Sequence, residues 1–151
     1  MKKKKKLIDV YPYRYVDNEL EFLLFKRASG KIYHNQWRMI GGKVKENETY
    51  WQGALREFYE ETGLKPVKFW TIPSVNTFYE HSTDIIHQIP AFAIQVGDGD
   101  EPELNDEHIE FAWLPQEKAI GKILWPEQKR LIKLTHTIVT TDQILDDWLV
   151  S

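Results

Sequence analysis

Glu57, Glu60 and Glu61 stand at i, i+3 and i+4 in a stretch, Thr49 to Thr62, that holds no proline and one glycine, Gly53. At about 100° per residue this spacing gathers the three carboxylates on one face of a helix. Trp51, Leu55, Phe58 and Thr62 fall roughly opposite and are expected to pack on a sheet. Gly63 stands where a helix C-cap belongs, and Pro66 prevents continuation. Like charges in adjacent turns repel by roughly a few tenths of a kcal/mol per pair, so the cluster needs a counter-charge. A hard divalent cation supplies one, because Mg²⁺ and Mn²⁺ prefer carboxylate oxygen and bridge to substrate phosphates. Solvent is the alternative, with Arg56 and Lys65 as partial counterions. From the three glutamates alone the solvated face is the better reading.

The wider spacing reverses that balance. Gly42, Glu48, Arg56, Glu57, Phe58, Glu60, Glu61, Gly63 and Leu64 reproduce the pattern G-x5-E-x7-R-E-U-x-E-E-x-G-U, where U is a bulky aliphatic or aromatic residue. Its fixed residue types would coincide by accident in well under about one in a million chains of this size. On this motif the chain resembles the Nudix hydrolases. The resemblance implies an α/β/α sandwich with a mixed β-sheet, in which a loop-helix-loop holds Mg²⁺, with Mn²⁺ as substitute. Carried over position by position, Glu57, Glu60 and Glu61 are the implied metal ligands. Gly42 would shape the loop leading into the helix and Gly63 its exit, while Glu48 and Arg56 orient and neutralise the carboxylates.

Outside the motif, Trp37 ahead of Gly41-Gly42, Glu107-His108 ahead of Phe111-Ala112-Trp113-Leu114, and the run Trp125 to Arg130 are similar to one branch of that family. That branch cleaves dihydroneopterin triphosphate and deoxyadenosine triphosphate. It tends to carry Trp-Ser-Asn near the last helix, where this chain has Trp125-Pro126-Glu127. The resemblance makes Glu107 a further metal ligand or base, with a plain loop carboxylate as the even alternative. The implied catalytic set is therefore Glu60, Glu61 and Glu107, with Arg56 in support. The implied reaction is attack of a metal-activated water on a phosphoanhydride, one glutamate taking the proton.

A triphosphate needs cations beyond its metals, and Arg14, Arg27 and Lys43 are candidates. Arg27 is favoured, directly behind the apolar strand Phe22 to Phe25 and near the motif loop. Tyr11, Tyr13, Trp37 and Phe78 could stack on a flat base, Trp37 foremost, although aromatic residues in strands are more often core. His34, His81, His87, His108 and His136 show no close metal-binding spacing, so a structural or surface role is expected for each. Asp98-Gly99-Asp100 lacks the further ligands of a calcium loop.

The elements that must position these residues follow from periodicity and breakers. Leu7 to Val16 and Phe22 to Phe25 read as strands around an Asp17-Asn18 turn, and Ser29 to Gly42 as a loop passing Trp37. Val67 to Tyr79 and Ile85 to Val96 read as long strands, Gly97 to Asp106 as an acidic loop, and Ile109 to Leu114 as one more strand. Pro115 to Ile120 suits a short helix, and Pro126 the first turn of a longer one whose Leu131, Leu134 and Ile138 share a face. Ile144 to Leu149 suggests a last amphipathic turn.

Bulk properties set the frame. At 151 residues and 42% hydrophobic, residues 7–151 suit a single domain, with residues 1–6 as a flexible lysine tail. A net charge of -3 argues against a nucleic-acid partner, and no apolar run approaches the roughly 20 residues of a membrane span. With no cysteine and no apolar segment behind the lysines, cytoplasm is the expected location. Pairing as a homodimer is left open. The expected substrate is a nucleoside or pterin triphosphate, cleaved to monophosphate and pyrophosphate. ADP-ribose, a nucleotide sugar or a dinucleoside polyphosphate is the alternative within the class. A ligand-sensing module without turnover is the rival outside it.

Overall fold

The computed structural model describes residues 6–27, 36–106 and 108–150. The chain opens with β1 (Leu7–Val16) and β2 (Glu19–Arg27), antiparallel neighbours joined by Asp17 and Asn18. Both turn residues take positive φ, 52° and 65°, as the tight hairpin turn that matches strand twist requires. Two short strands follow, β3 (Trp37–Arg38) and β4 (Ile40–Lys43), then α1 (Tyr50–Thr62). Strands β5 (Lys68–Glu80), β6 (Ile85–Gln95) and β7 (His108–Pro115) complete the sheet. Helices α2 (Gln116–Lys122) and α3 (Pro126–Thr140) and a 3-10 turn at Asp146–Trp148 close the chain.

The sheet runs β3-β2-β1-β6-β5, with β4 on β1 and β7 on β2. β1 and β6 are parallel and the other pairs antiparallel, so the sheet is mixed. Alternation along β1 divides the core. Ile8 and Val10 pack with Ala54 and Phe58 of α1, whereas Tyr11 and Tyr13 pack with Leu131 and Ile132 of α3. This is the α/β/α sandwich that the motif implies, and Tyr11 and Tyr13 are core residues.

Two expectations change. The stretch 37–43, read as loop, is largely strand. β1 is long enough that its first half takes β4 (Asp9 opposite Gly41, Ile8 opposite Gly42) while its second half takes β2. Gly42 therefore lies in a strand rather than shaping a loop. On α1 the stripe facing the sheet runs through Ala54, Phe58, Glu61 and Thr62, while Trp51 remains 39% exposed. Glu61 thus joins the buried side of its helix, away from the solvated face expected for a carboxylate.

Candidate active site

Local chemistry fixes α1 at both ends. Thr49 accepts from the Gln52 amide at 3.2 Å and Gln52 returns the bond to Thr49 N at 2.9 Å, a capping box. Gly63 ends the helix in the left-handed region, φ 69°, and its N–H donates to the Tyr59 carbonyl. Between these ends Arg56 organises the carboxylates. Its Nε and Nη2 grip both oxygens of Glu48 at 2.7 and 3.0 Å, and Nη1 donates to Glu57 at 2.9 Å and to Glu60 at 3.2 Å. Nη2 also donates to the Lys43 carbonyl at 2.8 Å, tying the helix to β4.

The same contacts set the electrostatics. The Arg56 guanidinium, helped by the Lys45 N–H, holds the Glu48 carboxyl down at about 2. Hydrogen bonding to Glu48 holds the Arg56 guanidinium above its ordinary value. Burial pushes the Glu57 carboxyl up, and the Glu60 and Glu61 charges add to that push, while Arg56 opposes both.

Gly42 has a different task from the one expected of it. A Cβ there would lie 2.4 Å from Cδ of Glu57, so the missing side chain is what lets Glu57 lie against β4. Glu61 is 5% exposed, and its Oε2 lies 2.8 Å from Nδ1 of His108, an ion pair when the imidazole is protonated. The Phe25 ring packs 5.0 Å from the His108 ring.

Glu61, Gly42, Lys43, Arg27 and His108 all line one cleft of about 410 Å³. Arg27 stands opposite His108 in the β2–β7 register. Two of the three candidate cations, Arg27 and Lys43, therefore share a cavity with a motif glutamate. A second group of side chains lines the same cleft, including Asp9, Arg38, Asn76, Phe78, Trp125 and Gln128. A more open depression of about 550 Å³ follows the outer side of α1 beside Trp51, Tyr59 and Pro66, but none of Glu57, Glu60 and Glu61 lines it.

Other expected residues stand elsewhere. Trp37 is half-buried against the core beside α2, with the Lys122 ammonium 5.2 Å from its ring centre, and does not line the cleft. Arg14 is held by Glu21 and Glu101 and does not line it either. Glu107 lies outside the described residues, as does His34. His108, expected to be structural or at the surface, lies against Glu61 of the motif.

The donor set suits a hard divalent cation. Carboxylate oxygens of Glu57, Glu60 and Glu61 are the right chemistry, and with Glu48 they outnumber the single guanidinium among them. Among the described residues no three acidic or histidine side chains already converge on one point. Arg56 holds Glu57 and Glu60 while Glu61 turns to His108. A cation gathering the three would therefore compete with these two partners.

Asp9, Arg38, Asn76 and Gln128 were not legible as site residues. Asp9 carries a faint signal, a charge inside an otherwise apolar and aromatic strand. Asn76 and Gln128 carry none, because a lone amide in a strand or helix looks like any surface position.

With the geometry in place, comparison with known proteins gives the family. The NUDIX domain model matches residues 12–135, and the chain belongs to the Nudix family. It is 33% identical over 110 residues to Nudix hydrolase 6 of Arabidopsis thaliana, covering 68% of this chain and 36% of that protein. The chain thus spans about a third of the plant relative's length. It is 27% identical over 110 residues to nucleoside triphosphatase NudI of an Enterobacter strain, covering 68% and 78% of the two chains. In fold it resembles an Ap4A hydrolase of C. elegans, with a TM-score of 0.76 at 21% identity over 91% of this chain and 99% of that one.

Proposed function

We propose that the chain is a Mg²⁺-dependent pyrophosphohydrolase, with Mn²⁺ as substitute, that cleaves a nucleoside or pterin triphosphate to monophosphate and pyrophosphate. The observation that carries this reading is the shared cleft, where Glu61 of the motif helix meets Arg27 and Lys43. Glu57, Glu60 and Glu61 would hold the metal, which when bound lowers the pKa of a water and shields phosphate charge. Arg56 keeps the first two of these side chains poised on their helix. Arg27 and Lys43 bind and orient phosphate oxygens, supplying local positive charge in a protein whose total is negative. Phe25 and the His108 ring keep water from the buried side of Glu61. Glu60, Glu61 or Glu107 takes the proton from the attacking water. Glu107 keeps its place among these because its sequence neighbour His108 lies against Glu61.

The test incubates the protein with Mg²⁺ and a panel in isotopically labelled water, identifying products by mass. The panel holds dihydroneopterin triphosphate, deoxyadenosine triphosphate, ADP-ribose and a dinucleoside polyphosphate. The expected result is monophosphate and pyrophosphate from the first two, abolished by excess chelator. Chelator-insensitive turnover would refute the metal. A preference above about tenfold for ADP-ribose or the dinucleoside polyphosphate, roughly 1.4 kcal/mol of transition-state discrimination, would overturn the substrate ordering. Binding without turnover on any member would instead identify a ligand sensor.

A further inference from the structure

The second group of cleft residues contains a buried acid outside the motif. Asp9 is 3% exposed, and it is joined by two carboxamides almost as buried, Asn76 at 4% and Gln128 at 2%. Asn76 Nδ2 donates to Asp9 Oδ2 at 2.9 Å, and the Gln128 side chain lies beside the same carboxyl and helps to hold its proton off. An ionised carboxylate can only accept, so it takes the NH₂ of each amide and thereby fixes which way both amides point. Each carbonyl oxygen is turned away from Asp9. Gln128 Oε1 has no hydrogen-bond partner in the protein although it is fully buried. A buried acceptor left unmade is costly, so a donor from outside the chain is the natural complement.

The surroundings suit a flat ring. Phe78 packs 6.0 Å from Trp125 and 4.8 Å from His87, and all three line the cleft. Gly41 lies close to both Asp9 and Arg38, for a Cβ there would sit 3.6 Å from Asp9 Oδ1 and 4.0 Å from Arg38 Nη2. The floor offers the Asn76 and Gln128 carbonyls beside the Arg38 guanidinium, and the walls offer aromatic faces.

We propose that Asp9 is a positioning residue that turns the carbonyls of Asn76 and Gln128 toward the substrate, selecting a heterocycle edge with two adjacent N–H donors. A 2-amino-4-oxopyrimidine edge has this arrangement, a ring N–H beside an exocyclic amine, and guanine and pterins share it. Adenine and cytosine place a ring acceptor beside their amine, which would face an acceptor here. Uracil has a single N–H between two carbonyls. Discrimination by a buried hydrogen-bonding site can be large, since the wrong edge leaves buried groups unpaired. The inference rests on the triphosphatase reading for its turnover arm, and not for its binding arm.

The experiment measures metal-free binding of GMP and AMP by calorimetry, together with kcat/KM for dGTP, dihydroneopterin triphosphate and dATP with Mg²⁺. The wild-type protein is expected to bind GMP at least tenfold more tightly than AMP, and to favour dGTP or the pterin over dATP by a similar factor. Whichever of those two is faster identifies the source of the edge. Asp9→Asn allows either amide to flip, and Gln128→Met removes one acceptor at similar volume. Each is expected to bring the preference below about threefold, with the loss falling on KM rather than kcat. A purely structural role would lower thermal stability and leave the ratio intact, which would overturn the proposal. If Asp9→Asn does not fold, Gln128→Met decides alone. Equal binding of GMP and AMP by the wild-type protein would also overturn it. Tighter GMP binding with no triphosphate turnover would uphold the edge recognition and refute the triphosphatase reading.

Discussion

The carboxylate helix, through Glu61, and the Asp9 cradle reach one cleft, yet they are built in opposite ways. Glu48, Arg56, Glu57, Glu60 and Glu61 come from a single helix and the loop before it, and the Arg56 guanidinium links three of the four glutamates. Asp9, Asn76 and Gln128 come from β1, β5 and α3, the first two 67 positions apart in sequence. Between the groups runs β4, whose two glycines face opposite ways, Gly42 toward Glu57 and Gly41 toward Asp9. The strand is thin on both sides, which lets a charged helix and a polar floor approach a common cavity. A reaction centre can thus be written as a local repeat of spacing, while a recognition surface is assembled only by the fold.

The largest expected effect separates these roles. Glu61→Gln keeps the volume and removes the charge, so turnover should fall by about a thousandfold or more while the melting temperature stays near that of the wild-type protein. Its nucleotide preference, read from residual activity or from binding, should be unchanged. A Glu61→Gln protein with turnover within about threefold of wild type would remove the motif helix from the chemistry. Next in size is Glu107→Gln, compared with Glu103→Gln as a control in the preceding loop. About a 10- to 100-fold loss confined to Glu107→Gln would make it a ligand or base. Full activity in both variants would make Glu107 a loop acid.

Gly42→Ala tests the wall itself. A methyl placed 2.4 Å from Cδ of Glu57 must push that side chain off β4. The expected cost is about 1 to 3 kcal/mol in stability and a fall in kcat, with the guanine-to-adenine binding ratio unaffected. Unchanged kcat and stability would mean that Glu57 does not depend on its place against the strand.

The contrast also explains what could be read in advance. The helix, its C-cap at Gly63, the long strands and the Pro126 start of α3 were legible because each is governed by neighbours in sequence. Arg27 and Lys43 were found because they flank elements that the motif itself locates. The strand character of 37–43 was not legible, because two glycines resemble a loop unless the partner strand is known. Trp37 and Trp51 show the same limit from the other side. Each has the right type for its expected place, but the former packs against the core beside Lys122 and the latter stays 39% exposed. The inward turn of Glu61 depends on His108, 47 positions away by residue number, and no local period records it.

The smallest effect contrasts one acid from each region, because Glu48 and Asp9 are shifted in opposite directions. Arg56 holds the half-buried Glu48 carboxyl at about 2, below its ordinary 4.5. A depressed folded value means that Glu48 contributes stability fully above the unfolded value and loses it as pH falls from 4.5 toward 2. The melting temperature of the wild-type protein should therefore exceed that of Glu48→Gln at neutral pH, with the gap closing across that window. Burial raises the Asp9 carboxyl above its ordinary 3.8, against the pull of Asn76, Arg38 and Gln128. For a raised folded value the sign reverses, and the protonated protein is relatively favoured. Relative to Asp9→Asn, the wild-type protein should gain stability as pH falls through the folded value toward 3.8, and lose that gain as pH rises again. Taking each wild-type and variant pair as a difference cancels the other carboxylates, which titrate alike in both members. Parallel trends for the two pairs would show that burial does not dominate at Asp9, and would leave the cradle as solvated as the motif helix.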